Sequence, residues 1–165
     1  MHVRAYLAEP ALVAPAEWEW VDSPQAGVRR VMLDRVGDEV AVATSFVRYA
    51  PDSHFPTHKH ARGEEFIVLE GEFADEHGRY PPGTYVRNPP GSEHAPFSDP
   101  GCLIWVKLRQ FYPDDLEQMV LSLDSKLPAK GQQVVILHEH ADETVGEITA
   151  AAGEVVQIEA AAVAQ

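Results

Sequence analysis

Residues 58–73 read HKHARGEEFIVLEGEF. The first half crowds histidines and carboxylates together, and the second is an apolar run that ends near a glycine. Two readings compete for the first half: a solvated, charge-rich loop, or side chains spaced to hold a metal ion. In an extended strand, side chains two apart share a face, so His58 and His60 project together while Lys59 points away. The intervening ARG can form a bulge or tight turn that carries Glu64 back to the side of the two imidazoles. Glu65 is the rival carboxylate. Strand neighbours face opposite ways, so only one of the pair can serve, and the six residues separating Glu64 from Gly71 favour Glu64.

A second segment, GTYVRNPPGSEH at 83–94, complements the first. Pro89, Pro90 and Gly91 force a turn, after which His94 re-enters the sheet as a fourth candidate ligand. Imidazoles with a carboxylate and no thiolate suit iron, manganese, nickel, copper or zinc alike. Four such donors would close a tetrahedral zinc, whereas a six-coordinate ion such as iron(II) would keep two positions for water, oxygen or substrate.

Working outward, short apolar or alternating runs are separated by turn signals: VRRVML before RVGDE, VAVATSFVRY before APDS, EEFIVLEGEF before DEHG, TYVRN before PPGSEH, and CLIWVKLRQF before YPDD. That cadence predicts an all-β sandwich or barrel. Eleven glycines and 13 prolines in 165 residues agree with it, and the length suits a single domain. Thirteen basic residues against 26 acidic ones give a formal charge of −13, which argues against nucleic acid or an anionic membrane surface as partner. No run approaches the ~20 apolar residues of a membrane span, and the N-terminus lacks a signal-peptide core, so the expected location is cytoplasmic. The lone Cys102, in GCLIW, reads as a small buried apolar residue rather than a nucleophile.

The spacing H-x-H-x3-E-x6-G followed by G-x5-P-x-G-x2-H resembles the two motifs of the cupin superfamily, here His58, His60, Glu64, Gly71, then Gly83, Pro89, Gly91, His94. Within the cupins, HKHARGEEFIVLEGEF and GRYPPGTYVRNPPGSEH are similar to the ChrR-type group, named for the cupin half of a zinc-containing anti-sigma factor. The resemblance covers about residues 28–112. It implies an RmlC-like β-barrel, a double-stranded β-helix or jelly roll, with His58, His60, Glu64 and His94 as ligands of one divalent ion (Fe, Zn, Mn or Ni) inside it. The asparagine that often closes the second motif is replaced by Ser98. The helical, zinc-binding half of the anti-sigma factor has no counterpart in residues 1–27, so the expectation is a cupin without that role. Other members of the wider group resemble iron-dependent dioxygenases that cleave carbon–carbon bonds of diketones or aromatic ketones.

The expected organisation is therefore one cupin domain over 1–165: an arm at 1–27 that carries Trp18 and Trp20 and packs onto the domain, a barrel core at 28–112, and C-terminal strands and tail at 113–165. In that last part FYPDDLEQMVLSLD reads as a short helical turn followed by a strand. VVILHEH and EVVQIE read as two further strands after the linker SKLPAKGQQ, and the alanine-rich end as a frayed tail. Leu33 is followed at matching offsets by Asp38 and Glu39, and Leu137 by Asp142 and Glu143, an echo that suggests a truncated second repeat of the unit in the C-terminal part.

Among the remaining features, His54 and His77 read as surface residues, and HEHADE at 138–143 as a turn that mimics the first motif rather than a second metal site. Arg62, between two candidate ligands, is either a solvated loop arginine or a contact for an anionic substrate. Phe66 and Val68 share the Glu64 face and either line a pocket or fill the barrel. Ile67 and Leu69 make the other face apolar too, which predicts a covering sheet or a homodimer. Two functions compete: an iron(II)-dependent dioxygenase acting on a small dicarbonyl or hydroxy-ketone held in the barrel, or a non-catalytic zinc-containing sensor or binding module. No general base stands out beyond the ligands, so no catalytic residue is assigned.

Overall fold

The turn residues cut the chain into many short strands, and among the described residues no α-helix forms. The computed structural model describes residues 2–6, 13–38, 40–123, 131–141 and 143–152. Its contacts divide the chain into two compact units, Met1–Ser122 and Leu123–Gln165. The first holds β1 (His2–Val3), β2 (Val21–Asp22), β3 (Val28–Val36), β4 (Val42–Tyr49), β5 (Ser53–His54), β6 (His58–Lys59) and β7 (Glu64–Gly71). It continues with β8 (Phe73–Asp75), β9 (Gly78–Tyr80), β10 (Thr84–Asn88), β11 (Glu93–His94), β12 (Phe97–Ser98), β13 (Cys102–Leu108) and β14 (Met119–Ser122). A single turn of 3-10 helix at Pro15–Glu17 interrupts the N-terminal arm.

A large antiparallel sheet runs β1-β3-β4-β13-β7-β10-β14, with β2 alongside β3. A smaller sheet runs β5-β12-β8-β9, and β11 pairs with β6. The chain passes from β7 in the large sheet to β8 in the small one at Gly71. There φ is +70° and a Cβ would lie 2.0 Å from the Gly101 carbonyl oxygen, so only glycine fits the crossing. The run EEFIVLEGEF, read from sequence as one strand, is thus two strands in different sheets.

Between the sheets lies the core. Alternation turns Phe66 and Val68 of β7, Val86 of β10, Ile104 and Val106 of β13 and Tyr49 of β4 inward, where they meet Phe73 and Tyr80 of the small sheet. The Phe66 and Phe73 rings stand 4.6 Å apart, and Tyr49 meets Phe73 edge-on at 5.6 Å. Phe66 and Val68 therefore fill the barrel. Cys102 belongs to the same core, as its apolar setting predicted.

On the outer face of the large sheet, part of the cover over Phe46 comes from within the unit. Trp18 of the N-terminal arm lies on Phe46, ring centroids 4.5 Å apart. Further along, Arg87 is fully buried: its guanidinium sits 4.0 Å from the centroid of the Phe111 ring, pairs with Asp115, and reaches Glu65 at 3.4 Å. The stretch after β13 that carries Phe111 and Asp115 forms a turn at 113–114 without a helix, and then β14. Half of the mixed reading of FYPDDLEQMVLSLD is therefore replaced: Pro113 fixes a turn, but no periodic apolar face follows to extend it.

In the second unit, β15 (Gln132–His140) and β16 (Glu143–Ala150) form an antiparallel hairpin. Its register shifts between Ile136 and His138, so Leu137 sits at a bulge; in the β3–β4 hairpin the shift falls between Met32 and Asp34, at Leu33. The two leucines that echo each other in sequence thus occupy the same place in two hairpins. In HEHADE, His138–His140 end β15 and Glu143 opens β16, with Ala141 at φ +51° following His140. Glu39, Asp142, EVVQIE and the alanine-rich tail lie outside the described residues. Among the described residues, no helix is long and apolar enough to cross a membrane.

Candidate metal centre

His58 and His94 are brought face to face by the pairing of β6 with β11, in which they are direct partners. His60 follows β6, and the chain then turns tightly at 61–62. Gly63 completes the turn at φ +74°, under the Phe111 ring, where a Cβ would lie 2.2 Å from a ring carbon. Only a residue without a side chain passes there, and the turn sets Glu64 at the start of β7 pointing inward. The bulge-or-turn alternative is thus a turn.

The three imidazoles form a nearly even triangle, with centroid separations of 4.8, 4.9 and 5.0 Å. One donor atom from each of His58, His60, Glu64 and His94 lies within 4.8 Å of the others. Ligands ~2.1 Å from one ion stand ~3 to ~4 Å apart, so inward movements of under about an ångström would complete the coordination. His60 and His94 present Nε2, 3.7 and 3.6 Å from the Glu64 Oε1.

The hydrogen bonds behind the triangle decide which nitrogens face inward. A carbonyl only accepts, so the 3.0 Å contact of His58 Nδ1 with the Pro56 oxygen puts the proton on Nδ1 and leaves Nε2 its lone pair. His94 Nδ1 donates in the same way to the Asp75 Oδ2 at 3.0 Å. The other Asp75 oxygen takes the His77 amide at 2.8 Å, the Gly78 amide at 3.1 Å and the Tyr80 hydroxyl at 3.0 Å, which locks the carboxylate in place. A carboxylate behind a histidine is the usual support of a metal-bound imidazole. Sequence reasoning missed Asp75. It lies in the DEHG hairpin, where an aspartate before a turn has a sufficient local explanation.

At the centre itself, one of the buried polar atoms without a hydrogen-bond partner belongs to a candidate ligand. His60 Nε2, on a side chain only 5% exposed, makes no hydrogen bond. Such an atom costs free energy unless something satisfies it. An imidazole lone pair aimed at two more imidazole nitrogens and a carboxylate fits a divalent cation. The electrostatics agree. Burial drives His60 down to about 3, with the neighbouring His94, His58 and Arg109 adding to the shift, so it stays neutral and ligand-competent. Burial also lowers His58, opposed by its Pro56 hydrogen bond. Burial raises Glu64, opposed by His94 and a hydrogen bond from Asn88. For His94, burial works downward, but the Asp75 hydrogen bond and the Glu64 and Asp75 charges outweigh it and raise the group. An added cation at the centre would relieve Glu64 and take the place of the His94 proton.

Other candidates separate cleanly. Glu65 faces outward and is held by the Tyr85 hydroxyl at 2.7 Å and by Arg87. His54 is exposed and stacks on Phe97, and His77 is half-exposed in its hairpin. Arg62 is exposed on the turn and takes no part in the site. Ser98, in place of the motif's asparagine, is buried and donates to the Glu72 carbonyl at 2.6 Å. His58, His60 and Glu64 form one wall of a cavity of about 230 Å³ inside the barrel, whose other walls include Val47, Ile104, Leu108, Arg30 and Arg35. A larger hollow of about 680 Å³, at the Gly27, Arg48 and Gly101 edge, contains none of the four candidate ligands.

A family model described as the ChrR cupin-like domain matches residues 8–112. No curated protein sequence matches this one. Among solved structures, the chain is similar to a putative acetylacetone dioxygenase from Methylibium petroleiphilum, at 17% identity over 70% of this chain and 90% of that one, with a TM-score of 0.53. It is similar to an acetylacetone dioxygenase from Acinetobacter johnsonii at 18% identity over 68% and 85%, TM-score 0.51. It also matches a chain of the Rhodobacter sphaeroides complex of SigE with the anti-sigma ChrR, at 23% identity over 58% of this chain but 50% of that one, TM-score 0.48. At these identities the likeness is one of fold: an all-β cupin barrel.

Proposed function

Because the chain belongs to the ChrR cupin-like domain family, we propose that His58, His60, Glu64 and His94 hold one divalent metal ion and that the protein is a metal-dependent dioxygenase of small dicarbonyl or hydroxy-ketone compounds. The observation that carries this reading is the unpartnered, buried His60 Nε2, aimed at three further donor atoms on the wall of a cavity. A closed structural site needs no cavity beside it; here three of the four candidate ligands line one. The diketone part of this reading is carried over from two fold neighbours, a putative acetylacetone dioxygenase and an acetylacetone dioxygenase.

The bound ion would supply a Lewis acid that gathers and polarises two oxygen atoms of the substrate. The chain's part is binding and orientation. Asp75 holds His94 in its ligating tautomer, Pro56 does the same for His58, and Val47, Ile104 and Leu108 keep water from the reacting carbons. In such a cleavage both atoms of O2 would enter the products and the substrate would supply all four electrons, so no separate reductant is required. A homodimer through the outer face of the large sheet belongs to the same proposal.

The competing reading is a zinc-containing binding module, favoured by the fact that four protein donors suffice for a tetrahedral ion. Protein purified from iron-supplemented and zinc-supplemented cells separates the two. The enzyme reading expects about one iron per chain and oxygen uptake on a panel of small diketones. Stoichiometric zinc from both cultures with no oxygen uptake on the iron-loaded form refutes it.

A further inference from the structure

The cavity beside the centre has a charge opposite to that of the protein. Although acids outnumber bases 26 to 13, its lining includes Arg30, Arg35, Lys59 and Arg109, and among the described residues Glu64, a candidate ligand, is its one acid. Lys59 is compensated by Glu93 at 3.5 Å. Arg30 and Arg35 are not: among the described residues neither has a carboxylate within ion-pair distance. Their hydrogen bonds go to neutral oxygens, Arg30 to the Ser23 hydroxyl at 3.2 Å and Arg35 to the Asp38 carbonyl. The two guanidiniums also work against each other, since burial and then the Arg35 charge lower Arg30. Two half-buried, mutually repelling cations are retained at a cost that an anion placed between them would remove.

Their position follows from the register. The β-bulge at Leu33 turns both Arg30 and Arg35 inward from β3. Arg35 then falls on one cross-sheet row with Ala43, Leu108 and Glu64, and Arg30 on the row of Val47, Ile104 and Val68. Three strand spacings separate the Arg35 and Glu64 backbones, about 14 Å, and the small Ala43 leaves the space between them open. At about 230 Å³ the cavity is below the size that takes a drug-like ligand.

We infer that the cavity is built for a small organic acid, whose carboxylate is bound by Arg30 and Arg35 while its oxygen-bearing opposite end faces His58, His60 and Glu64. This rests on the metal-centre reading above and narrows its substrate class from neutral diketones to anionic ones. Arg30 and Arg35 are the specificity-determining residues.

A matched pair of probes tests this: 2,4-dioxopentanoate and pentane-2,4-dione carry the same dicarbonyl and differ in the carboxylate. Calorimetric titration into metal-loaded protein should show the acid binding at least about tenfold tighter, the value of a charge-assisted hydrogen bond. Raising the salt concentration should narrow the gap. Arg30→Gln and Arg35→Gln should each weaken the acid about tenfold and leave the neutral diketone unchanged, with Arg35→Lys, which keeps the charge, retaining part of the preference. Equal affinity for the two probes, or a preference untouched by both glutamine variants, overturns the inference. Metal-free protein gives the separating arm. If metal is not taken up but the acid still binds in an arginine-dependent way, the anion site stands and the metal centre falls. If metal is taken up and the neutral probe binds as well as the acid, the metal centre stands and the anion site falls. Binding of neither probe in either form refutes the anion site.

Discussion

Replacing Asp75 by asparagine changes one atom and should disable the proposed centre through a residue that does not touch the ion. The Asp75 Oδ1 accepts three hydrogen bonds, from the His77 and Gly78 amides and the Tyr80 hydroxyl, while Oδ2 accepts one from His94. An asparagine has one oxygen. Turning its NH2 toward three donors would lose three bonds, so the oxygen stays at the Oδ1 position and the NH2 faces His94 Nδ1. His94 must then accept at Nδ1 and carry its proton on Nε2, the nitrogen that points at Glu64. The ligand lone pair is occupied, and recovering it breaks the new bond. Removing such support from a metal-bound histidine typically costs 10- to 100-fold in affinity, about 1.4 to 2.7 kcal/mol. The enforced wrong tautomer places Asp75→Asn at the upper end. Competition against a chromophoric chelator measures the dissociation constant, and circular dichroism checks that the hairpin still folds. An unchanged dissociation constant in a folded Asp75→Asn protein would refute the reasoning, because it would mean His94 is not held through Nδ1 for a metal at Nε2.

Further tests address other parts of the molecule. Glu64→Gln should abolish tight metal binding, yet metal-free protein should be at least as stable as the parent in urea unfolding at pH 8, because burial disfavours the carboxylate there. His60 is neutral when folded down to about pH 3 but takes a proton near 6.5 when unfolded. The unfolded state therefore binds more protons in that window, so metal-free stability should fall as pH drops below about 6.5, by up to about 1.4 kcal/mol per pH unit from this group. His94, whose value is raised, has the opposite sign: it adds stability in acid and loses it as pH rises through its folded value. Urea midpoints for the parent and His60→Ala between pH 5 and 8 should show a weaker acid dependence in the variant. Gly63→Ala, with a Cβ 2.2 Å from the Phe111 ring and φ at +74°, should cost about 2 kcal/mol or more and weaken metal binding together with stability. Arg87→Ala would leave Glu65 and Asp115 facing a hole where their cation stood, and should destabilise by about 3 to 5 kcal/mol in thermal unfolding.

Much of the site was legible because its spacing is local. His58 and His60 share a side by the alternation of an extended chain, ARG closes one turn, and Pro89, Pro90 and Gly91 make another before His94. Alternation allowed only one of Glu64 and Glu65 to face the site, and the spacing to Gly71 favoured Glu64; Glu65 faces the opposite side, toward Tyr85 and Arg87. Where the reading went astray, a local cue met a cross-sheet fact. EEFIVLEGEF has unbroken strand character, but Gly71 lies so close to Gly101 that the chain changes sheets there. Arg62, between two candidate ligands in sequence, is exposed as its solvated-loop reading has it, while Arg30 and Arg35 reach the cavity from β3, more than 20 positions earlier.

The sequence by itself determined the all-β class, the turn positions and the four residues that converge, because each depends on neighbours a few residues away and on the two-residue period of a strand. Which strands lie side by side is decided only when the sheets assemble, since cross-strand hydrogen bonds join residues at any separation. That assembly alone put Asp75 behind His94, left the His60 Nε2 in want of a partner, and turned Arg30 and Arg35 into the same cavity as Glu64.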